Sequence, residues 1–249
     1  MPKKEPTMPT CYEVWRYLDE LIPSSQSEEW DNDGLMIASG ADCKKALIAL
    51  DPTAEVIRYA AQNNFNAVIT HHPLIFRPLR NIGDEKLIIA VKNDIAVMSF
   101  HTRLDANSPG VNDALAAKLG LADTEISGML RIGKTDKCSL DSFAQTVKTA
   151  LNSPAVTFGG DGNVCKVAVL GGSGGDFIEE AIKIGADTFV TGECGYNAIC
   201  DAADAGLNVI CAGHYHTEAP VLEMLKTFII TAFPEIMCEI YESYPLKAI

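Results

Sequence analysis

The sequence contains no apolar run that approaches the roughly 18 residues needed to span a membrane. Its first ten residues, MPKKEPTMPT, also contain no apolar stretch of the kind found at the centre of a secretion signal. These two absences predict a soluble protein of the cytoplasm with no membrane partner.

The eight cysteines include no Cys-x-x-Cys pair and form no closely spaced framework. Tight pairs are typical of zinc ribbons, and dense frameworks are typical of small secreted proteins with disulfide bonds. The spacing therefore argues against both classes. Most of these thiols are expected to be small buried hydrophobes.

Positive charge is scarce, because 20 Lys and Arg residues face 33 Asp and Glu residues and the formal net charge is −13. This balance disfavours binding to nucleic acid or to an anionic membrane, and it is compatible with a carboxylate-lined site that attracts cations. With 249 residues, 47% of them hydrophobic, the chain can bury a full core. One large α/β domain or two fused smaller ones would account for this length.

The segment AVITHHPLIF, residues 67–76, carries the strongest local signal. Residues 67–69 have the apolar, partly β-branched character of a buried parallel strand, and Pro73 cannot donate the next ladder hydrogen bond. His71 and His72 are therefore expected on the loop at the carboxyl end of a strand, where open α/β sheets bind ligands. Adjacent side chains that leave a strand diverge, which suits two neighbouring metal ions with one imidazole each.

A βαβ unit leads into the two histidines, and one further strand repeats their arrangement. Strands predicted over residues 46–50 and 67–70, with a helix over 53–64 between them, form a βαβ unit with a parallel sheet. A strand predicted over 95–100 then ends in His101, with Asp105 four residues later. A second strand therefore leads into a histidine and a carboxylate.

The second half of the chain repeats the pattern of the first half. Shifted by about 121 positions, residues 46–50 and 68–70 align with 167–171 and 189–191, and residues 95–100 align with 208–213 after a shorter shift. This predicts an α/β fold of two similar duplicated lobes with mixed sheets and sites between the lobes.

The predicted lobes are residues 1–125 with about 217–249, and residues 126–216. A helix is predicted over 218–233, followed by a last strand over 236–241 that returns to the first lobe.

Five side chains just beyond predicted strand ends are candidate metal ligands, with three further side chains beside them. His214 and Glu218 are four residues apart, so they face the same side if the chain is helical there. Imidazole nitrogen together with carboxylate oxygen suits Zn, Fe, Mn or Ni better than Ca or Mg. A lone histidine is more often structural, but this grouping favours a site for two divalent transition-metal ions. The candidate ligands are His71, His72, Asp105, His214 and Glu218, and the neighbours are His101, Glu193 and His216.

Two segments keep two interpretations each. Residues 171–175, GGSGG, would either cradle a phosphate through backbone amides or form a tight turn, and they lack the Lys-Ser/Thr of a P-loop. The loop around Trp30, Asp31 and Asn32 would be either a binding edge or a packed connection.

Five motifs resemble those of the GTP cyclohydrolase I type 2 homologue family, the YbgI-type dinuclear-metal proteins that are also described as NGG-interacting-factor-three-like. The resemblance covers essentially the whole chain. It implies two α/β lobes, a ring-shaped homohexamer, and two metal ions held by the same five candidate ligands. It also implies that His101 lies beside the metals or takes part in catalysis. The motifs are WDNDGL at 30–35, THHPLIF at 70–76, HTRLD at 101–105, TGE at 191–193 and GHYHTE at 213–218.

The activity implied by the resemblance is opening of the imidazole ring of GTP, so a small-molecule substrate, possibly a nucleotide, is expected. His101, Glu193 and His216 are then candidates for proton transfer, with His101 and Glu193 preferred as catalytic residues. Arg77, Arg80 and Arg103 are the basic residues close to these motifs.

Two alternatives remain open at this point. One is a non-catalytic ring protein that stores, delivers or senses metal, and the other is a metal-dependent phosphoesterase.

The sequence also departs from many relatives after the TGE motif, where Cys194, Tyr196 and Asn197 stand in a stretch that often contains a histidine.

Overall fold

The structure is a computed structural model that describes residues 8–244 and residue 246. In chain order, its strands are β1 Gly34–Ile37, β2 Lys45–Ala49, β3 Ala67–Thr70, β4 Ala96–Ser99, β5 Ala122–Ser127, β6 Leu130–Ser139, β7 Thr157–Gly159, β8 Asn163–Ser173, β9 Thr188–Glu193, β10 Asn208–Cys211 and β11 Met237–Ile240. Its helices are α1 Cys11–Leu21, α2 Ala54–Gln62, α3 Glu85–Lys92, α4 Thr102–Ala106, α5 Val111–Lys118, α6 Leu140–Ala150, α7 Ile178–Lys183, α8 Tyr196–Asp204, α9 His214–Glu218 and α10 Val221–Ala232.

The backbone divides into two compact units. The described residues up to 104, together with 222–244, form the first unit, and residues 105–221 form the body of the second. The sequence predicts changeovers near residues 125 and 217, whereas the units change over inside α4 and at the start of α10. Residues 105–125 are thus grouped with the second unit.

The first unit is built on a mixed sheet with the strand order β1-β4-β3-β2-β11. Strands β4, β3, β2 and β11 are parallel, and β1 is antiparallel to β4. Every residue of β3 and β4 is buried, which explains their uniformly apolar or small side chains. Helices α2 and α3 pack their apolar sides on these strands in one core cluster. The predicted βαβ unit and the return of the last strand are confirmed.

The second unit is built on a sheet with the order β5-β6-β8-β9-β10-β7, in which β8, β9 and β10 are parallel and the other pairs are antiparallel. Side chains alternate between two cores. Val167 and Val169 of β8 pack with α5 and α6, whereas Ala168 and Leu170 pack with α7 and α8. The sheet is therefore covered on both faces.

The strands related by the internal repeat occupy the same order in both sheets. The parallel series β2-β3-β4 of the first unit corresponds to β8-β9-β10 of the second. This arrangement confirms the predicted α/β class with two mixed sheets.

The predicted helix over residues 218–233 is wrong at its start. Two helices occupy the region, α9 ending at Glu218 and α10 beginning at Val221. Pro220 separates them because it has no N–H to donate to the carbonyl of His216. Within the part of the chain that the structure describes, no helix has the length and apolar character needed to cross a membrane.

Candidate metal centre

The histidine pair of the first unit follows β3 directly. The backbone N–H of His72 donates to the carbonyl of Leu50 at 3.0 Å, and the Thr70 hydroxyl donates to the carbonyl of His72 at 2.7 Å. These bonds fix the turn that Pro73 begins. His71 is fully buried and His72 is half-buried.

Three imidazoles of the first unit share one hydrogen-bond arrangement, in which Nδ1 lies close to an oxygen that only accepts. The pairs are His71 with the carbonyl of Phe100 at 2.9 Å, His72 with Oδ1 of Asp51 at 2.7 Å, and His101 with Oδ1 of Asp31 at 2.8 Å. Each neutral ring therefore carries its proton on Nδ1 and directs its lone pair from Nε2. This is the tautomer and orientation that a histidine ligand of a metal adopts.

These imidazoles also lie close together. One ligand atom from each of His71, His72 and His101 lies within 4.8 Å of the others. The ring centroids are 4.8 Å apart for His71 and His72, and 5.4 and 5.6 Å from His101. The group could hold a metal ion, with His101 as a third nitrogen donor beside the two predicted ligands.

The charge state of His101 is controlled by its surroundings. Burial lowers its pKa, the neighbouring His71 lowers it further, and Asp31 opposes the shift. Burial alone would raise the pKa of Asp31, but hydrogen bonds from Thr102 and His101 outweigh it, and the pKa lies below its ordinary value. A neutral imidazole beside an ionised carboxylate is therefore favoured at neutral pH.

The second unit gathers several donors around α9. This short helix begins after Gly213, whose φ is +90°, and it places His214 and Glu218 one turn apart. Nε2 of His214 is 3.2 Å from Oε1 of Glu218, and Nδ1 is 3.5 Å from Oε2 of Glu193. A ligand oxygen of Asp105 lies within 4.8 Å of one of Glu218.

Two glycines shape the backbone around Glu218 and His214. Gly172 at the end of β8 has φ +69°, and a Cβ there would overlap Oε1 of Glu218. A Cβ at Gly192 would lie 2.7 Å from Oγ1 of Thr217 and 2.8 Å from Cα of His214. Both positions therefore require glycine for the carboxylate and the helix to lie where they do.

Backbone amides around these glycines have partners within the unit. The N–H of Gly171 donates to Asn112 at 2.8 Å, that of Gly172 to Thr217 at 3.1 Å, and that of Gly174 to the carbonyl of Glu193 at 3.1 Å. Amides committed in this way are not available to a phosphate. At these three positions the GGSGG segment forms a tight connection and not a phosphate cradle.

Hydrogen bonds of Asn112 and Thr217 fix the backbone next to the candidate ligands of this unit. Nδ2 of Asn112 donates to the carbonyl of Asp105 at 3.0 Å, and its Oδ1 accepts from Gly171. The hydroxyl of Thr217 accepts from Gly172 and donates to a carbonyl at the start of α9. Both side chains are buried.

Three residues differ from, or add to, what the sequence predicts. Arg103 is only 1% exposed and is bound by Asp33 and Asp19, so it is not available to a substrate phosphate. Burial lowers the pKa of His216, and its ring forms a hydrogen bond with the backbone at Leu151. Burial raises the pKa of the Cys194 thiol, which disfavours the reactive thiolate form.

Sequence reasoning missed Asp51 and Asp31 as partners of the histidines. Asp51 stands two residues after the end of β2, in an Asp-Pro pair that indicates a turn, and Asp31 lies in the WDN loop. A carboxylate just beyond a parallel strand next to a histidine-bearing strand would have been the signal for Asp51.

The donor sets fit a transition-metal ion. Two ligands about 2.1 Å from a tetrahedral ion are about 3.4 Å apart, which is close to the 3.2 Å between His214 and Glu218. Imidazole and carboxylate donors of this kind suit Zn, Fe, Mn or Ni. The fold and the donors together define an α/β protein with His and Glu groups that could bind metal.

The chain belongs to the Duf34/NIF3 (NGG1p interacting factor 3) family, whose sequence profile matches residues 9–245. A relative from Clostridium perfringens, named GTP cyclohydrolase 1 type 2 homolog, is 33% identical over an alignment of 229 residues that covers 84% of this chain and 87% of that protein. A protein of the same name from Methanocaldococcus jannaschii is 33% identical over 87% of this chain and 93% of its own length.

Solved structures agree with this assignment. The crystal structure of Staphylococcus aureus protein SA1388 superposes with a TM-score of 0.89 at 26% identity, covering 98% of this chain and 100% of that one. Reduced HcgD from Methanocaldococcus jannaschii superposes with a TM-score of 0.80 at 30% identity, covering 93% and 97%.

Proposed function

We propose that this protein is a dinuclear metal-dependent hydrolase of the GTP cyclohydrolase 1 type 2 kind, acting on a nucleotide or related heterocycle in the cytoplasm. The observation that carries the proposal is the shared arrangement of His71, His72 and His101, each with Nδ1 on an oxygen acceptor. Three imidazoles oriented alike are typical of a metal centre, because solvated loop histidines need no such anchoring. The names of the relatives support the reaction type.

In this proposal two divalent ions per chain, from among Zn, Fe, Mn and Ni, are bound by His71, His72, Asp105, His214 and Glu218. Such ions supply Lewis acidity and lower the pKa of water, which makes a nucleophile available near neutral pH. The remaining residues then have to position the substrate and move protons.

Opening of a purine imidazole ring requires attack at C8 and a proton for the departing nitrogen. His101 is suited to move that proton, because Asp31 fixes its tautomer and its pKa is depressed from the ordinary value. Glu193 lies 3.5 Å from Nδ1 of His214, where it can orient that ring or accept a proton. These two residues are proposed as the catalytic groups.

The second unit also offers space next to Glu193. A cleft of about 490 Å³ opens there, and its lining residues are Ser173, Gly175, Asp176, Glu193, Cys194, Gly195 and Ala198. Its walls carry no Lys or Arg. In the first unit, Arg77 and Arg80 are exposed and are proposed to bind substrate phosphates. A homohexameric ring, as the resemblance implies, is part of the same proposal.

The proposal is tested by incubating metal-loaded protein with GTP and following formyl or dihydroneopterin-type products by absorbance and chromatography. Asp105→Ala should abolish turnover, because it removes a proposed ligand. Arg77→Ala should mainly raise KM, because it removes phosphate binding and leaves the reacting groups in place. Arg16→Ala, which removes an exposed arginine paired with Glu20, is the matched control and should leave both constants unchanged.

ATP, formylated pyrimidines and simple phosphoesters complete the panel. Turnover of the phosphoesters alone would replace the proposal with a phosphoesterase. No turnover of any compound by protein that carries its metal would contradict a hydrolase and favour metal storage or delivery.

A further inference from the structure

An aromatic pair lies beside the histidines of the first unit and has no role in the proposed metal centre. The rings of Trp30 and Phe76 contact each other edge to face, with centroids 6.0 Å apart. Each centroid is also 6.2 Å from that of His101. The two rings therefore border the imidazole that is proposed to move a proton.

Both rings are exposed to an unusual extent for such large apolar groups. Trp30 is 61% exposed and Phe76 is 46% exposed. Aromatic side chains contribute strongly to protein cores, so leaving two adjacent rings exposed forgoes the favourable free energy of burying them. A ligand that covers these rings would gain that free energy on binding.

Hydrogen bonds on either side of Trp30 hold the pair in place. Asp31 accepts from His101 and from the backbone and hydroxyl of Thr102. Asn32 donates from Nδ2 to the carbonyl of Ile75, the residue before Phe76. The WDN loop is thus tied to both segments that carry the other rings, and the platform exists before a ligand arrives.

The chain after Phe76 is exposed and carries two arginines, followed by the acidic pair Asp84 and Glu85. Residues 76–85 are all exposed and include Arg77 and Arg80. A planar ring on the aromatic pair with phosphates toward these arginines matches the chemistry of a nucleotide. A protein partner would find the same rings, but it would have no particular reason to lie against His101.

We propose that Trp30 and Phe76 form a stacking platform for the planar base of a nucleotide, with phosphates bound from the Arg77 side. This inference rests on the proposed function for the choice of GTP as ligand. Stacking is tolerant of base identity because every base has a π face. The platform therefore supplies affinity and orientation, and discrimination between bases falls to other residues.

The chain has only two tryptophans, Trp15 and Trp30, so Trp15→Phe makes Trp30 the sole indole reporter. Metal-free and metal-loaded forms of this variant are titrated with GTP, guanosine and ribose 5-phosphate. We expect saturable quenching of Trp30 fluorescence by GTP and guanosine, and none by ribose 5-phosphate. Absence of quenching by both aromatic ligands at millimolar concentration, in both forms of the protein, would overturn the proposal.

Calorimetric titration with GTP then measures the contribution of each ring. Trp30→Leu and Phe76→Leu should each raise Kd by about tenfold, within the range found for base–aromatic stacks. Trp30→Phe should keep most of the affinity, because it keeps a π face. Tyr12→Leu removes another exposed aromatic ring of the same unit and is the matched control, with no change expected.

Turnover and oligomeric state separate the remaining outcomes. Weakened GTP binding in Trp30→Leu, in a protein that hydrolyses nothing, would support the platform and contradict the hydrolase. Unchanged Kd and KM in Trp30→Leu would contradict the platform and leave the hydrolase standing. A smaller particle by light scattering, with unchanged Kd, would show that the rings form a subunit interface instead.

Discussion

At the scale of single residues, the site depends on the groups that orient the histidines. His72 is held by Asp51 at 2.7 Å, and His101 is held by Asp31 at 2.8 Å. Each carboxylate fixes which ring nitrogen keeps the proton and raises the basicity of the other. Asp51 and Asp31 therefore prepare these imidazoles to act as ligands or bases, and neither carboxylate has to contact a metal or a substrate itself.

Asp51→Asn tests this dependence. The amide is a weaker acceptor for Nδ1 of His72 and carries no charge, so metal affinity should fall by about 10- to 100-fold while the fold is kept. Competition with a chromophoric chelator measures the affinity. Asp42→Asn removes the same charge from an exposed position of the same unit and should change nothing. Equal affinity in the two variants would show that Asp51 does not support the site.

The histidines could be predicted from sequence, but their partners could not. Residues 67–72 contain an apolar run that stops at two imidazoles, and this pattern can be recognised in the sequence without knowing which strands lie next to it. The pairing of Asp51 with His72 depends on β2 lying next to β3 in parallel register, which is a property of the sheet. Arg103 shows the converse, because a basic residue inside a motif is buried between Asp33 and Asp19.

At the scale of elements, the end of β8 and the helix α9 fix each other's position. Gly172 makes room for Glu218, and its N–H binds the Thr217 hydroxyl, which also bonds to the start of α9. Helix α9 has only five residues, so its position depends on these contacts more than on helix propensity.

A comparison of Gly172→Ala with Gly120→Ala distinguishes the cost of a strained backbone from the cost of steric overlap with Glu218. Both glycines have φ +69°, but a Cβ at Gly120 meets nothing within 4 Å, whereas one at Gly172 overlaps the Glu218 carboxylate. Each variant should lose about 1 to 2 kcal/mol of unfolding free energy from the left-handed backbone, with a further loss in Gly172→Ala. Urea titration measures this.

Metal binding should distinguish the same two variants. Gly172→Ala should bind metal less tightly, because Glu218 has to move, and Gly120→Ala should bind like the unchanged protein. Normal metal binding by Gly172→Ala would show that the Glu218 carboxylate is not held for a ligand role.

A strand or helix could be predicted where the residues within it carry a local signal, such as an apolar run or a capping box. The strands β2, β3, β4, β9 and β10 follow from apolar runs, and α1 follows from the capping box of Thr10 and Glu13. The break between α9 and α10 was missed because the apolar spacing continues across Pro220. The units change over inside α4 and at the start of α10, where no change of composition marks the sequence.

At the scale of the whole molecule, each unit has its own closed core. Among the described residues, the first includes an apolar cluster around β2, β3 and β4, and the second includes a cluster on each face of its sheet. None of these clusters includes a candidate ligand. We therefore expect the fold to persist without metal, unlike a small zinc domain that unfolds without its ion.

Removal of metal should leave the protein folded. After dialysis against EDTA, the far-UV circular dichroism should be unchanged and thermal unfolding should stay cooperative. The Tm should fall by about 2 to 4 °C for each kcal/mol of binding free energy that is lost. Loss of secondary structure on chelation, restored by added metal, would instead show that the ions are structural.

We propose that the strand-end side chains hold two divalent transition-metal ions per chain, and elemental analysis of the purified protein measures this stoichiometry. Protein produced in metal-replete medium and freed of loosely bound ions should contain close to two equivalents per chain of Zn, Fe, Mn or Ni. His71→Ala and Glu218→Ala should each lower that number, while Tyr12→Leu should not. Folded, unmodified protein with a metal content near zero would contradict the claim.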